Sequence, residues 1–431
     1  MTQEKKHSGT GQDCPKGYKS CDGYRIPKEW HIVRFDSLFS RVTRKNDENN
    51  QNVLTISAQQ GLISQIEYYN TLYASENKTG YTLLHRGDFS YNKSYSSGYA
   101  YGAIKRLDAY EKGIVSPLYL CFTPRQGVNS DFYLQYFEAG CFDREIYKIA
   151  QEGARNHGLL NVSTEDFFHS MLVFPPLEEQ ERITEILTQC DHVIELKEQK
   201  LDELKQLKKE FLRKMFPAKG CDTPEIRFPG FTGAWEQRKL GEIANLLTGF
   251  PFKSKKFVDE GIKLVRGMNV KRGYLDFTGE LCEYWNSSEG LENYLLKSGD
   301  ILIQMDGALI GKSYAKIEDN QLPALLVQRV TRARVDLKVA KESFIYQEIQ
   351  RDFLSYIKGM KTETAVPHLS LNDIADFTVT MPITDEQRQI GAFFENLDTL
   401  ITLHQRELEE TKTYKKTLAK LLLTGIVRVQ G

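Results

Sequence analysis

The 431-residue sequence has no excess charge of either sign: 57 lysines and arginines stand against 58 aspartates and glutamates, for a formal net charge of −1. That balance argues against nucleic-acid binding through bulk positive charge, but leaves room for charges sorted by region. No run reaches the roughly 18 apolar residues of a membrane helix, and Met1 to Trp30 hold no apolar signal core. The expectation is therefore no membrane partner and a cytoplasmic address. The seven cysteines (Cys14, Cys21, Cys121, Cys141, Cys190, Cys221 and Cys282) include no C-x-x-C pair, which sets aside a zinc cluster or disulfide framework in favour of reduced thiols.

Catalytic signatures are also missing. The eight histidines lack H-E-x-x-H or other ligand spacing, and there is neither a G-x-S-x-G elbow nor a G-x-G-x-x-G turn. Gly307-Ala-Leu-Ile-Gly-Lys-Ser313 approaches a P-loop, but three residues separate its glycines where four are needed, and Asp306 would repel a phosphate. No metal, cofactor or catalytic centre is expected on this chain.

What is present is a repeat. A shift of 207 residues lays Ser163 to Lys209 onto Ser370 to Lys416 without a gap, with fourteen identities. They include Ser163/Ser370, Pro175/Pro382, Glu179/Glu386, Gln180/Gln387, Asp191/Asp398, Lys205/Lys412, Lys208/Lys415 and Lys209/Lys416. Shared helical composition does not place a proline and an E-Q pair at matching points. Weaker echoes pair Trp30 with Trp235, Gly87-Asp88 with Gly299-Asp300, and Gly98-x-x-x-Gly102 with Gly307-x-x-x-Gly311.

From Glu178 to Phe216, and again from Asp385 to Leu423, apolar residues recur near a 3.5-residue period. Each stretch predicts one long amphipathic helix, the first stopped by Pro217, the second opened by a Thr384/Gln387 capping box and closed by Gly425. Paired antiparallel as a coiled coil, the two would bury Leu187, Ile194, Leu201 and Leu204 against Phe394, Leu397, Ile401 and Leu408. The alternative is that each stripe packs on its own globular half. The remainder alternates short β-prone runs (Val53 to Ile56, Ala324 to Val330) with Gly, Asn and Ser turns and occasional helices. The fold class expected is α+β, with a pseudo-two-fold internal repeat. It comprises a loose tail 1–23, a mixed domain 24–176, a long helix 177–217, a connector 218–230, a second domain 231–382 and a second helix 383–431.

Charge is sorted within these domains. Lys253, Lys255, Lys256, Lys263, Arg266, Lys271 and Arg272 face two acids, Asp259 and Glu260, whereas Asp276 to Asp306 hold seven acids and one lysine. In the first half, Arg86 to Arg106 interleave Tyr91, Tyr95, Tyr99 and Tyr101 with Asn92, Lys93, Lys105 and Arg106. Such segments offer cations to phosphates and hydroxyl, amide and aromatic groups to base edges. The bland reading is packed tyrosines and solvated lysines.

The layout, with Phe174-Pro-Pro-Leu-Glu-Glu-Gln-Glu-Arg-Ile183, Met381-Pro-Ile-Thr-Asp-Glu-Gln-Arg-Gln-Ile390 and Ile226-Arg-Phe-Pro-Gly-Phe-Thr-Gly-Ala-Trp235, resembles the specificity subunit of type I restriction-modification systems. The resemblance implies a non-catalytic reader whose two target-recognition domains each take half of a split, asymmetric site in double-stranded DNA. It further implies two adenine methyltransferase subunits and restriction subunits as partners, with S-adenosylmethionine, ATP and Mg held by those partners. Two rivals stay open: a stand-alone DNA-binding or nuclease protein, and a coiled-coil scaffold with no DNA role.

Overall fold

The computed structural model describes residues 14–57, 60–71, 77–94, 98–150, 160–307, 310–360 and 368–429. The chain divides into two compact units, the first made of residues 1–197 and 407–431 and the second of 198–406.

In the first unit a four-stranded antiparallel sheet runs in the order Phe39–Arg41, Leu120–Pro124, Phe89–Asn92, Ala103–Arg106. Alternation of side chains across the pleat sends Phe89 and Tyr91 into one core and Cys121 of the neighbouring strand into a smaller one with Leu84 and Leu107. The larger core is aromatic: Phe35, Phe39, Phe122, Phe132, Tyr133, Phe137, Phe142 and Phe167 are buried in it. Phe89 and Phe122 stack with centroids 5.3 Å apart. The second unit repeats the order with Ala244–Thr248, Val330–Val335, Ile301–Gln304 and Tyr314–Lys316. Here Ile301 and Ile303 face the main core and Leu302 a lesser one. Each unit also pairs the strand after its tryptophan with the strand before its long helix: His31–Arg34 with Met171–Phe174, and Glu236–Lys239 with Thr378–Met381.

The Gly-Asp echo is a shared turn. Gly87 and Gly299 have φ of +91° and +85°, and the buried Asp88 and Asp300 each accept the backbone N–H three residues back at 2.7 Å. Arg44 clamps the first carboxylate and Arg334 the second. The G-x-x-x-G echo is likewise conformational: all four glycines have φ between +73° and +92°. A Cβ on Gly102 would stand 2.3 Å from the Asn92 carbonyl oxygen.

The two long helices span Leu177–Lys214, 38 residues, and Thr384–Leu423, 40 residues, roughly 57 and 60 Å at 1.5 Å per residue. Each starts in one unit and ends in the other. Three sequence expectations change. Residues 18–21, given to a loose tail, form a hairpin strand, Tyr18–Cys21, with Tyr24–Pro27 of the first domain, whose Ile26 is drawn into the core. The run Ala324 to Val330 breaks into a parallel strand, Ala324–Leu326, and a new strand from Val330, since Arg329 turns the chain at φ +70°. Gln387 makes no capping box with Thr384. Its buried amide donates to the Pro382 carbonyl at 2.7 Å and accepts the Lys341 N–H at 2.9 Å.

Candidate nucleic-acid interface and helix pair

The repeated residues build the same polar circuit once in each unit. In the first, Gln135 donates to Asp191 at 2.8 Å, and Lys415 of the second helix closes on the same carboxylate. In the second unit, Gln347 donates to Asp398 at 3.3 Å and Lys208 of the first helix pairs with it at 2.6 Å. Lys197 with Glu407 at 2.9 Å follows Asp191 with Lys415 at rising numbers on one helix and falling numbers on the other. The helices are therefore antiparallel.

Each helix start is gripped in a matching way. Glu386 receives both arms of Arg227 at 2.7 Å, and Glu179 receives Arg428 at 2.6 and 2.9 Å. Bidentate, charge-assisted pairs of this kind are the strong ones. The adjacent glutamine turns inward in both copies, Gln180 to the Pro175 carbonyl and Gln387 to that of Pro382. The copies differ at the tryptophan: Trp30 Nε1 donates to Glu179 at 2.8 Å, while Trp235 Nε1 is buried without a partner among the described residues.

Of the residues expected between the helices, Leu187, Leu201, Leu204, Phe394, Leu397 and Leu408 are buried, and Ile194 and Ile401 half-buried. Leu187 shares the first core with Ala419, Leu422 and Leu423 of the other helix as well as with the domain's aromatics. Phe394 shares the second with Met215 and Phe216. Partner helix and globular half thus both cover each stripe. Some apolar positions stay outside in both copies: Val193/Leu400, Leu196/Leu403 and Leu207/Tyr414 are 44–65% exposed.

The first basic segment is largely turned to internal use, and for Tyr91 and Lys105 burial replaces the expected exposure to a ligand. Tyr91 is fully buried, its hydroxyl donating to the Tyr101 carbonyl at 2.8 Å and its ring stacked on Phe167. Burial pushes its pKa well up. Lys105, 5% exposed, reaches both Glu138 oxygens at 2.6 and 2.7 Å and the Tyr99 hydroxyl at 3.0 Å, as a desolvated ammonium must. Lys93 donates to the Val162 carbonyl, the Asn92 side chain caps Ser94, and Arg106 pairs with Asp108 and Asp131. Tyr99 and Tyr101 are half-buried. Tyr95 lies outside the described residues.

The second segment differs. Lys253, Lys255 and Lys256 are exposed on and beside the short turn Ser254–Lys256. Among the described residues no carboxylate lies within 4 Å of them, of Lys271 or of Arg272. Arg266 is partly committed, donating to the Leu281 carbonyl at 2.9 Å. Buried Asn269 pins the loop between: it accepts from Arg266 N–H and donates to the Asp276 and Leu281 carbonyls at 2.8 and 2.7 Å. The loop thereby presents Met268 and Tyr274, 51% and 58% exposed, beside Lys271 and Arg272. Sequence reading missed these two. Their signal was large apolar residues next to a basic, glycine-marked turn.

Among the described residues no cluster of three or more His, Cys, Asp or Glu could hold a metal, and no helix is long and apolar enough to cross a membrane. The profile of the type I restriction modification DNA specificity domain matches residues 27–206 and 233–413. The MjaVIII specificity subunit of Methanocaldococcus jannaschii is 25% identical over 440 residues, covering 96% of this chain and 97% of that protein. The EcoAI specificity subunit of Escherichia coli is 30% identical over 169 residues, 38% of this chain and 28% of that one. Among solved structures, the type I S subunit from M. genitalium superposes with a TM-score of 0.56 at 16% identity, over 91% of this chain and 96% of that one. A chain from a study of type I complex assembly gives 0.55 at 15% identity, over 94% and 100%. With two target-recognition domains joined by a long helix pair and both domain repeats matched, the chain belongs to the type I restriction-modification specificity subunits, the non-catalytic members that supply sequence-specific DNA recognition.

Proposed function

We propose that each domain reads one half of a bipartite, asymmetric DNA site, and that the helix pair sets the number of base pairs between the halves. The observation that carries this reading is the contrast within the repeat. The Gln-Asp-Lys circuit and the Arg-Glu grip recur in both units, while the basic segments differ in sequence and in pairing. Two unlike readers on a common frame require an asymmetric target, whereas identical ones would read a palindrome. The exposed apolar positions kept in both copies, Val193/Leu400, Leu196/Leu403 and Leu207/Tyr414, suit two copies of one partner. In this reading they seat two adenine methyltransferase subunits that bring S-adenosylmethionine and flip the target base. Restriction subunits join that complex with their ATP and Mg, in the cytoplasm.

Single-molecule sequencing of adenine methylation in cells with and without this chain tests the reading. The expected footprint is two unlike short words separated by a fixed unspecified gap, present only with the chain. A contiguous word, a palindrome or methylation independent of the chain would overturn it.

A further inference from the structure

One face of the first long helix carries charge that neither the fold nor the apolar seam explains, and its pattern recurs on the second. Lys205, Lys209 and Arg213 follow one another at four-residue steps and so share a face, where like charges disfavour a helix. The row nevertheless recurs as Lys412, Lys416 and Lys420, with Lys412 4.0 Å from Glu409 one turn back. Other exposed positions of the same stretch have changed, Lys200 to Glu407 and Glu210 to Thr417. Lys208 and Lys415, in the same register, are accounted for by their aspartates. Lys205 and Lys209 have no carboxylate within 4 Å among the described residues, and Arg213 pairs only with exposed Glu210 and Glu225.

In the second unit this row lines a groove of about 1490 Å³, whose walls hold seven cationic side chains, Arg272 and Arg351 among them, against three acidic ones. At 3.6 residues per turn the row lies roughly half a turn around the helix from exposed Leu207. Apolar and cationic surfaces are thus separate flanks of one helix.

We propose that these rows bind DNA phosphates, each beside the half-site read by its own domain, without regard to sequence. The inference rests on the bipartite reading above. Bases differ between the two half-sites but the phosphate backbone does not, so phosphate contacts can stay the same in both copies while base readers diverge. Apolar positions serve a protein surface and long-stemmed cations serve phosphates, which is why two unlike faces are both duplicated.

The test uses the full chain in complex with its methyltransferase subunits and duplexes carrying either the mapped target or a scrambled one. Binding is measured across salt concentrations. K205Q/K209Q/R213Q is expected to lower the slope of log affinity against log salt by about 2 to 3, near 0.9 per lost phosphate contact. It should weaken both duplexes alike, by roughly 10- to 100-fold at low salt. The methylated word and the subunit stoichiometry should not change, and K205R/K209R/R213K should restore the slope. An unchanged slope overturns the proposal. So does loss of methyltransferase subunits with affinity otherwise intact, which would assign the row to an acidic protein surface. A wild-type complex with no salt-dependent affinity for either duplex would instead sink the recognition reading on which this one stands.

Discussion

The two units solve the same burial problem differently, and a pair of glutamates shows how. In the first, burial would raise the pKa of Glu145, but Lys148, the Tyr24 hydroxyl at 2.6 Å and the Met171 N–H at 3.1 Å outweigh it and hold the carboxyl below its usual range. In the second, burial pushes Glu348 up to about 8 despite Arg351 at 3.3 Å, and its Oε1 has no hydrogen-bond partner among the described residues. Equal topology therefore does not imply equal electrostatics. What the copies share is the helix-borne frame, and what surrounds it has been rebuilt.

The pH dependence can break this comparison, and carries the largest expected effect. Glu348 titrates above its unfolded value, so between about pH 4.5 and 8 the unfolded chain has released a proton that the folded one retains. Stability falls with rising pH across that window, by at most roughly 5 kcal/mol for a shift of this size. Glu145 has the opposite sign: its stabilisation is present above the unfolded carboxyl pKa and is lost on acidification. Hydrogen exchange should thus show the segment around 342–360 loosening from pH 5 to 8 while that around 143–149 loosens only in acid. Glu348→Gln should remove the first trend and leave the second. Parallel trends in both segments would refute the assignment.

The duplicated frame was legible in the sequence because gap-free spacing and residue identity survive in it. Pro175/Pro382 and Gln180/Gln387 match since each glutamine amide must satisfy that proline's carbonyl. The partners that complete the frame were not legible. Arg227 and Arg428 follow the ends of the two long helices, Lys214 and Leu423, at different distances, so the repeat offset does not relate them, and Gln135 and Gln347 sit on helices outside the gap-free repeat. Composition and spacing also could not tell a solvated lysine from a buried one. Lys105 and Lys255 look alike in sequence, and what separates them is the helix Ser130–Glu138, whose Glu138 meets Lys105 on the edge strand Ala103–Arg106.

A smaller effect sharpens the frame itself. The Glu386 side chain is fully buried and relies on Arg227, so Arg227→Ala should leave an uncompensated carboxylate and cost about 3 kcal/mol. Arg428→Ala removes the equivalent grip, yet Glu179 keeps the Trp30 N–H at 2.8 Å. A retained hydrogen bond to a charged group is worth about 1.5 kcal/mol or more, so the second variant should lose correspondingly less. Denaturant titrations of the two variants give the difference directly. Equal losses would mean that the tryptophan does not support Glu179.

The smallest stability effect discriminates the two basic segments. Lys105→Ala strips Glu138 and Tyr99 of their shared cation in the interior, and should cost about 1 to 3 kcal/mol while leaving the salt dependence of DNA binding unchanged. Lys255→Gln with Lys256→Gln alters two exposed side chains that no carboxylate approaches within 4 Å among the described residues, so stability should move by less than about 0.5 kcal/mol. If those lysines meet phosphates, the same pair of changes lowers the salt slope by about 2. The two outcomes are crossed, one variant unstable with an unaltered slope and the other stable with a reduced one. A general weakening of the protein cannot produce both. Reversal of either would return the first segment to the interface or remove the second from it.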